Sequence, residues 1–257
     1  MRNLLPAVLL LVTGTTLPSR GQTPTAKTVA QQQQSWAGYL NQTRLSKRWG
    51  IWLDLHTRRT GQFLDRWSMH VVRPGLIYYP SDQTRLVAGY AYARLYAQTT
   101  PAPIRTEHRP WQQFSVDNRY GRLATTQRVR VEERFIQRTN GMEVLDSYSF
   151  TMRFRYMLTL QLPLCRPGAG PHVPMLTVQD ELMVNAGSQV VYNTFDQNRL
   201  FVGVTYPFSK TLSVQAGYMN QFQQLASGNA FVSNHIARVF LIHNLDLREK
   251  ESERVKE

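Results

Sequence analysis

Cysteine is almost missing from this chain of 257 residues: Cys165 stands alone, so no internal disulfide and no CxxC metal knot can form. Long hydrophobic runs are missing too. Past the N-terminal region no stretch approaches the roughly 18 consecutive apolar residues of a membrane helix, which excludes a helical membrane protein. Acidic charge is scarce, with 17 Asp and Glu against 30 Lys and Arg and a formal net charge of +13. That balance suits nucleic acid, anionic lipid headgroups or small anionic solutes. Catalytic signatures are absent: there is no GxSxG, no HExxH and no glycine-rich phosphate loop, and the six histidines are scattered without ligand spacing. The chain therefore reads as a non-enzyme with no cofactor and no metal.

What is present begins with an export signal. Arg2 supplies a positive start, Leu4 to Val12 form a short apolar run broken only by Pro6, and Ser19 and Gly21 place small residues ahead of a cleavage point before Gln22. The run is about half of the roughly 20 residues that span a bilayer, so residues 1–21 are expected to be a cleaved signal peptide. Export takes the mature chain away from cytoplasmic nucleic acid, and no nucleic-acid partner is expected. Residues 22–34 form a polar lead-in, 35–247 the folded unit and 248–257 a charged, solvated tail.

From Trp36 onward the dominant signal is period-two alternation in long runs. Ile51, Leu53 and Leu55 alternate with Asp54, His56 and Arg58; Val129, Val131 and Phe135 alternate with Arg128, Arg130, Glu132 and Arg134. Phe154, Tyr156 and Leu158 alternate with Arg153, Arg155 and Thr159, and Leu200, Val202 and Val204 with Arg199, Phe201 and Gly203. Each strand thus has one apolar and one polar face. The runs exceed the usual five or six residues of a soluble strand and match the roughly 9 to 11 of a tilted membrane strand. Eleven candidates emerge, near 35–45, 49–58, 67–79, 84–96, 107–119, 122–135, 147–162, 173–186, 196–206, 211–222 and 233–247.

Connections alternate between short (46–48, 80–83, 120–121, 166–172, 207–210) and long (59–66, 97–107, 136–147, 187–195, 224–232), as in outer-membrane barrels. The expected fold is all-β, an antiparallel up-and-down transmembrane β-barrel of about ten to twelve strands. Eleven is awkward, because single-chain bacterial barrels use even numbers. Either the lead-in adds a twelfth strand, or the first candidate is no wall strand, or the lead-in threads the lumen. Tyrosines and tryptophans near strand ends, among them Tyr39, Trp49, Trp67, Tyr78, Tyr79 and Tyr206, suit an interfacial girdle.

Arginine on a lipid face near the midplane costs roughly 2–4 kcal/mol, so the alternating charges should point inward. The lumen-lining candidates are Asp54, His56, Arg58, Arg109, Arg128, Arg130, Glu132, Arg134, Arg153, Arg155, Glu181 and Arg199. Glu107 and Arg109 share a face and are placed to pair with Arg134 and Glu132 on the next strand. Ser233 and His235 also share a face, but a serine and a histidine two apart are common, and the segment reads as a loop-to-strand junction.

With the strands laid out, the stretches WAGYLNQTRLSKRWGIWLDLHTR (36–58), RPGLIYYPSDQTRLVAGYAY (73–92), EHRPWQQF (107–114), TTQRVRVEERF (125–135), RFRYMLTLQLPL (153–164) and FDQNRLFVGVTYPFSKTLSVQAGYMNQ (195–221) resemble DUF2490, a family of uncharacterised exported proteins common in Bacteroidetes. The resemblance implies an outer-membrane barrel and no known activity. Expected partners are outer-membrane lipid and small anionic solutes. Two functional expectations stand together: a small anion-preferring pore or solute-binding barrel, or a sealed structural barrel that presents its loops. A lipid-acting enzyme is a distant third.

Overall fold

The computed structural model describes residues 26–97, 102–165 and 172–248. The expected signal peptide, the tail beyond Arg248 and residues 166–171 lie outside them. Eleven strands follow in chain order: β1 (Thr28–Arg44), β2 (Trp49–Thr60), β3 (Arg66–Tyr78), β4 (Thr84–Leu95), β5 (Arg105–Tyr120), β6 (Leu123–Asn140), β7 (Glu143–Pro163), β8 (Met175–Ala186), β9 (Phe195–Pro207), β10 (Leu212–Gln224) and β11 (Ala230–Asp246). Each pairs with its successor in antiparallel fashion, and β1 closes the barrel on β11.

That closure answers the odd strand count in a way the sequence reading did not include. After eleven up-and-down strands the first and last run the same way, so the seam is parallel, from Thr28↔Ala230 to Arg44↔Asp246. Parallel pairing satisfies both edges, and no twelfth strand or threaded lead-in is needed. The seam also corrects the lead-in. Residues 28–34 are strand although their glutamines show no apolar alternation, because backbone pairing to β11 holds them.

The connections expected to be short share one end of the barrel and those expected to be long the other, although the longest one, 164–174 between β7 and β8, lies at the short-turn end. One expected long loop is absent. Over 136–147, β6 and β7 continue to Asn140 and Glu143 and meet in a two-residue turn, Gly141–Met142. Gly141 takes φ 60, as Gly121 takes φ 59 in the β5–β6 turn, and a type II′ hairpin needs glycine at this first position. The run RTNGME reads as polar loop, yet it is a hairpin standing beyond the barrel wall.

Inside and outside are reversed relative to a soluble protein. Phe154 and Val202 on the outer face are 40% and 44% exposed, whereas Arg130 and Glu132 on the inner face are 1% and 0% exposed. The inner face is not uniformly polar. One apolar cluster (Trp52, Val71, Ile77, Val87, Ala91, Trp111) fills the β2–β5 side, and another (Trp36, Phe201, Met219, Ile236, Phe240) lies under β9–β11 and β1. Cross-strand glycine pairs make room for their rings: Trp111 lies on Gly75↔Gly89 and Phe201 on Gly203↔Gly217. A Cβ on Gly89 would stand 2.7 Å from the Trp111 ring, and one on Gly203 would stand 2.5 Å from Phe201. Tyr79 does not join the outer girdle; it is buried beneath the Arg44 guanidinium, 4.3 Å from its ring centre.

Candidate functional site

The lumen encloses a cavity of about 910 Å³. Asp54, His56 and Arg58 reach it from β2, Arg109 from β5, Arg128, Arg130 and Arg134 from β6, Arg153 and Arg155 from β7, Glu181 from β8 and Arg199 from β9. Glu132 lies beneath these side chains, fully buried. Among the described residues twelve arginines line the cavity against three carboxylates, Asp54, Asp117 and Glu181.

Most of the charge is knitted together. Glu132 accepts from Arg153 (Nε, 3.0 Å) and Arg155 (NH1, 2.5 Å), with Arg109 and Arg130 at 3.7 and 3.8 Å. Glu181 accepts from Arg155 (NH2, 2.7 Å) and from Arg128, and Arg199 stands 3.6 Å away. Glu107 takes Arg109 at 2.7 Å and Arg134 at 2.6 Å, while Asp54 binds Arg73 at 2.6 Å and contacts His56. Guanidinium forks on carboxylates are among the strongest pairings available to a buried charge.

Three arginines lie on aromatic rings, and two of them, Arg58 and Arg238, have no ion pair among the described residues. Arg130 sits 4.4 Å from the Trp111 centroid and is held by Gln113; Arg238 lies 3.7 Å over Phe201 and donates to Gln179 and Gln215. Arg58 lies 3.5 Å over Trp36, whose ring also carries Arg199 at 5.0 Å. Arg58 has no ion pair or hydrogen bond among the described residues, and its Nε is buried without a partner. The charges that act on it most strongly, Arg199, Arg109, Arg73 and Arg155, are all of its own sign. A ring face returns about 2 kcal/mol to a desolvated cation, less than the several kcal/mol that burying the charge costs.

The two ends of the lumen differ. At the short-turn end Arg85 pairs with Asp117, which is 38% exposed. Toward the long-loop end buried side chains bond to one another and form a floor of polar groups: Gln34 bonds Asn234 at 2.8 Å, and Gln221, Gln197, Asp196 and Arg153 form a continuous chain. Glu107, near the start of β5, is wholly buried there. The β2–β3 loop runs beside β1 at the same end, where Phe63 bridges Gln34 and Ser35 Oγ donates to the Phe63 carbonyl at 2.7 Å.

Sequence reasoning missed Arg73, Arg85, Arg119, Arg238 and the three rings. On β3 the inner face carries Val71 and Ile77, and on β11 Ile236 and Phe240, so hydropathy assigns these strands no single polar face. Parity alone identifies them, since Arg73 shares its face with Val71 and Arg238 with Ile236. Ser233 and His235 face outward and engage different partners: Asn220 donates to the serine, while Tyr218 and Gln31 bond the two imidazole nitrogens. Nothing in that arrangement couples the hydroxyl to the imidazole.

An apolar-coated closed barrel around a cationic interior is the class that fold and site define. Residues 33–232 match the family described as "Protein of unknown function (DUF2490)", and the chain belongs to it. No curated protein and no solved structure matches the chain.

Proposed function

We propose that this chain is an outer-membrane barrel, exported through the signal expected at residues 1–21, that holds small anionic solutes in a blind lumen. Its inverted surface supports the membrane part. Ile51, Leu76, Phe114, Val129, Phe154, Leu200 and Val239 stand exposed on seven of the eleven strands, far more apolar surface than a soluble monomer leaves in water. A strand of 12 residues, the shortest here, extends about 40 Å; tilted by about 40° it still crosses the roughly 25 Å apolar band of such barrels.

One observation carries the solute part: near the floor Arg58 shares the Trp36 ring with Arg199, has no carboxylate partner among the described residues, and keeps a buried Nε without a partner. An incoming anion supplies the missing countercharge. Thermal unfolding of the mature chain refolded in detergent tests this. A ligand that binds only the folded state adds about 2.7 kcal/mol at a hundredfold excess over its Kd. Anionic solutes should raise the midpoint and cationic ones should leave it unmoved; a midpoint indifferent to every anion overturns the reading. In a lumen that is blind at this end, a planar bilayer should show no discrete conductance steps. Steps with anion preference would favour a small pore instead. The ion-pair lattice around Glu132 favours a second reading, a sealed barrel that only presents its loops, and that reading predicts neither current nor anion protection.

A further inference from the structure

We infer that the ligand of this lumen is a small hydroxylated oxyanion, a sugar acid or sugar phosphate, held by its charged group on Arg58 and Arg199 and by its hydroxyls on the β7–β10 wall; the inference rests on the anion-holding lumen proposed above. Between the mouth and the arginine floor that wall presents hydroxyls and amides beside Met157 and Met175, and the Arg238 guanidinium donates to two of the amides, Gln179 and Gln215. Thr159, Gln161, Gln179, Thr205 and Gln215 line it. They are aligned by one another: Gln179 donates to Thr159 at 3.2 Å, Gln215 to Thr205 at 2.9 Å, and Thr177 bonds Thr205 at 2.8 Å. Each amide and hydroxyl has more donor or acceptor capacity than these bonds consume, which suits a ligand rich in hydroxyl groups. On the opposite side of the ring of strands, Trp52 lines the same cavity, an apolar face for the C–H side of a sugar ring. A bare inorganic anion would use the floor and leave the wall idle. The cavity volume lies within the roughly 300–1,000 Å³ range of small-molecule sites, and guanidinium forks match carboxylate and phosphate alike.

Titration calorimetry on the refolded mature barrel tests this with glucuronate, glucose 6-phosphate, glucose, acetate and inorganic phosphate. Glucuronate or glucose 6-phosphate should bind at least about tenfold tighter than any of the other three, a gain of about 1.4 kcal/mol. Arg58→Gln should lose about tenfold for the charged sugars and nothing for glucose, and Thr159→Val should weaken the charged sugars while leaving phosphate unchanged. Unboiled gel mobility reports whether each variant folds; if Arg58→Gln does not, the probe ranking and Thr159→Val decide. Acetate or phosphate binding as tightly as the charged sugars, or Arg58→Gln binding them unchanged, overturns the assignment while leaving an anion-holding lumen intact. No binding of any anion overturns that lumen reading as well.

Discussion

Glu132 shows how much a single residue carries in this lumen. It is wholly buried, and Arg153 and Arg155 both donate to it. Glu132→Gln keeps the shape and removes the countercharge that two buried guanidiniums share, leaving Arg153 with Asp196 alone and Arg155 with Glu181 alone. The expected cost is about 3–5 kcal/mol, the range for breaking a buried pair from one side, read as a lower denaturant midpoint of the refolded barrel. A loss below about 1 kcal/mol would mean that water reaches the network and screens it, as at an exposed pair. At this scale the sequence was legible wherever charge alternated cleanly with apolar residues, as along Arg128, Arg130, Glu132 and Arg134. It was illegible where the inner face is apolar, as around Arg73 and Arg238, because the pattern signals burial and does not say on which side.

Among the elements, the glycine pairs decide how the inner face packs. Gly75↔Gly89 and Gly203↔Gly217 let Trp111 and Phe201 lie against the wall, and those rings in turn carry Arg130 and Arg238. A Cβ at Gly217 would stand 2.4 Å from the Val202 carbonyl oxygen and 2.5 Å from the Gly203 Cα, both backbone atoms that cannot swing aside. Gly217→Ala should therefore cost about 1–3 kcal/mol, as overpacking does, with the loss visible in the same denaturant midpoint. Gly121→Ala meets no atom within 4 Å but sits at φ 59, so any cost there comes from the backbone alone. The strand order was readable from alternation, and nine of the ten connections fell near their expected places. The β6–β7 hairpin was not, since a polar strand pair that projects past the wall has no buried face to generate a pattern. The glutamines of 31–34 were hidden for the same reason: their strand is specified by hydrogen bonding across the seam rather than by hydropathy.

For the whole molecule, the inverted surface is the fact from which the rest follows. Apolar residues cover the outside and a dense arginine lattice fills the inside, an arrangement that lipid around the barrel would stabilise and water would not. The count of eleven strands was legible; the parallel seam was not, because adjacency of the first and last strands leaves no local mark. Site-directed spin labelling in liposomes tests the central claim directly. In a background with Cys165 replaced by serine, labels placed singly at Phe154, Leu200, Val202 and Val239 on the outer face are compared with labels at Thr159 and Gln215 on the inner face. The account predicts that the outer labels collide with lipid-dissolved oxygen and stay shielded from a water-soluble nickel complex, while the inner labels lack the oxygen contact. Outer labels freely reached by the nickel complex would contradict it, and would make the barrel a protein that meets water on its apolar face.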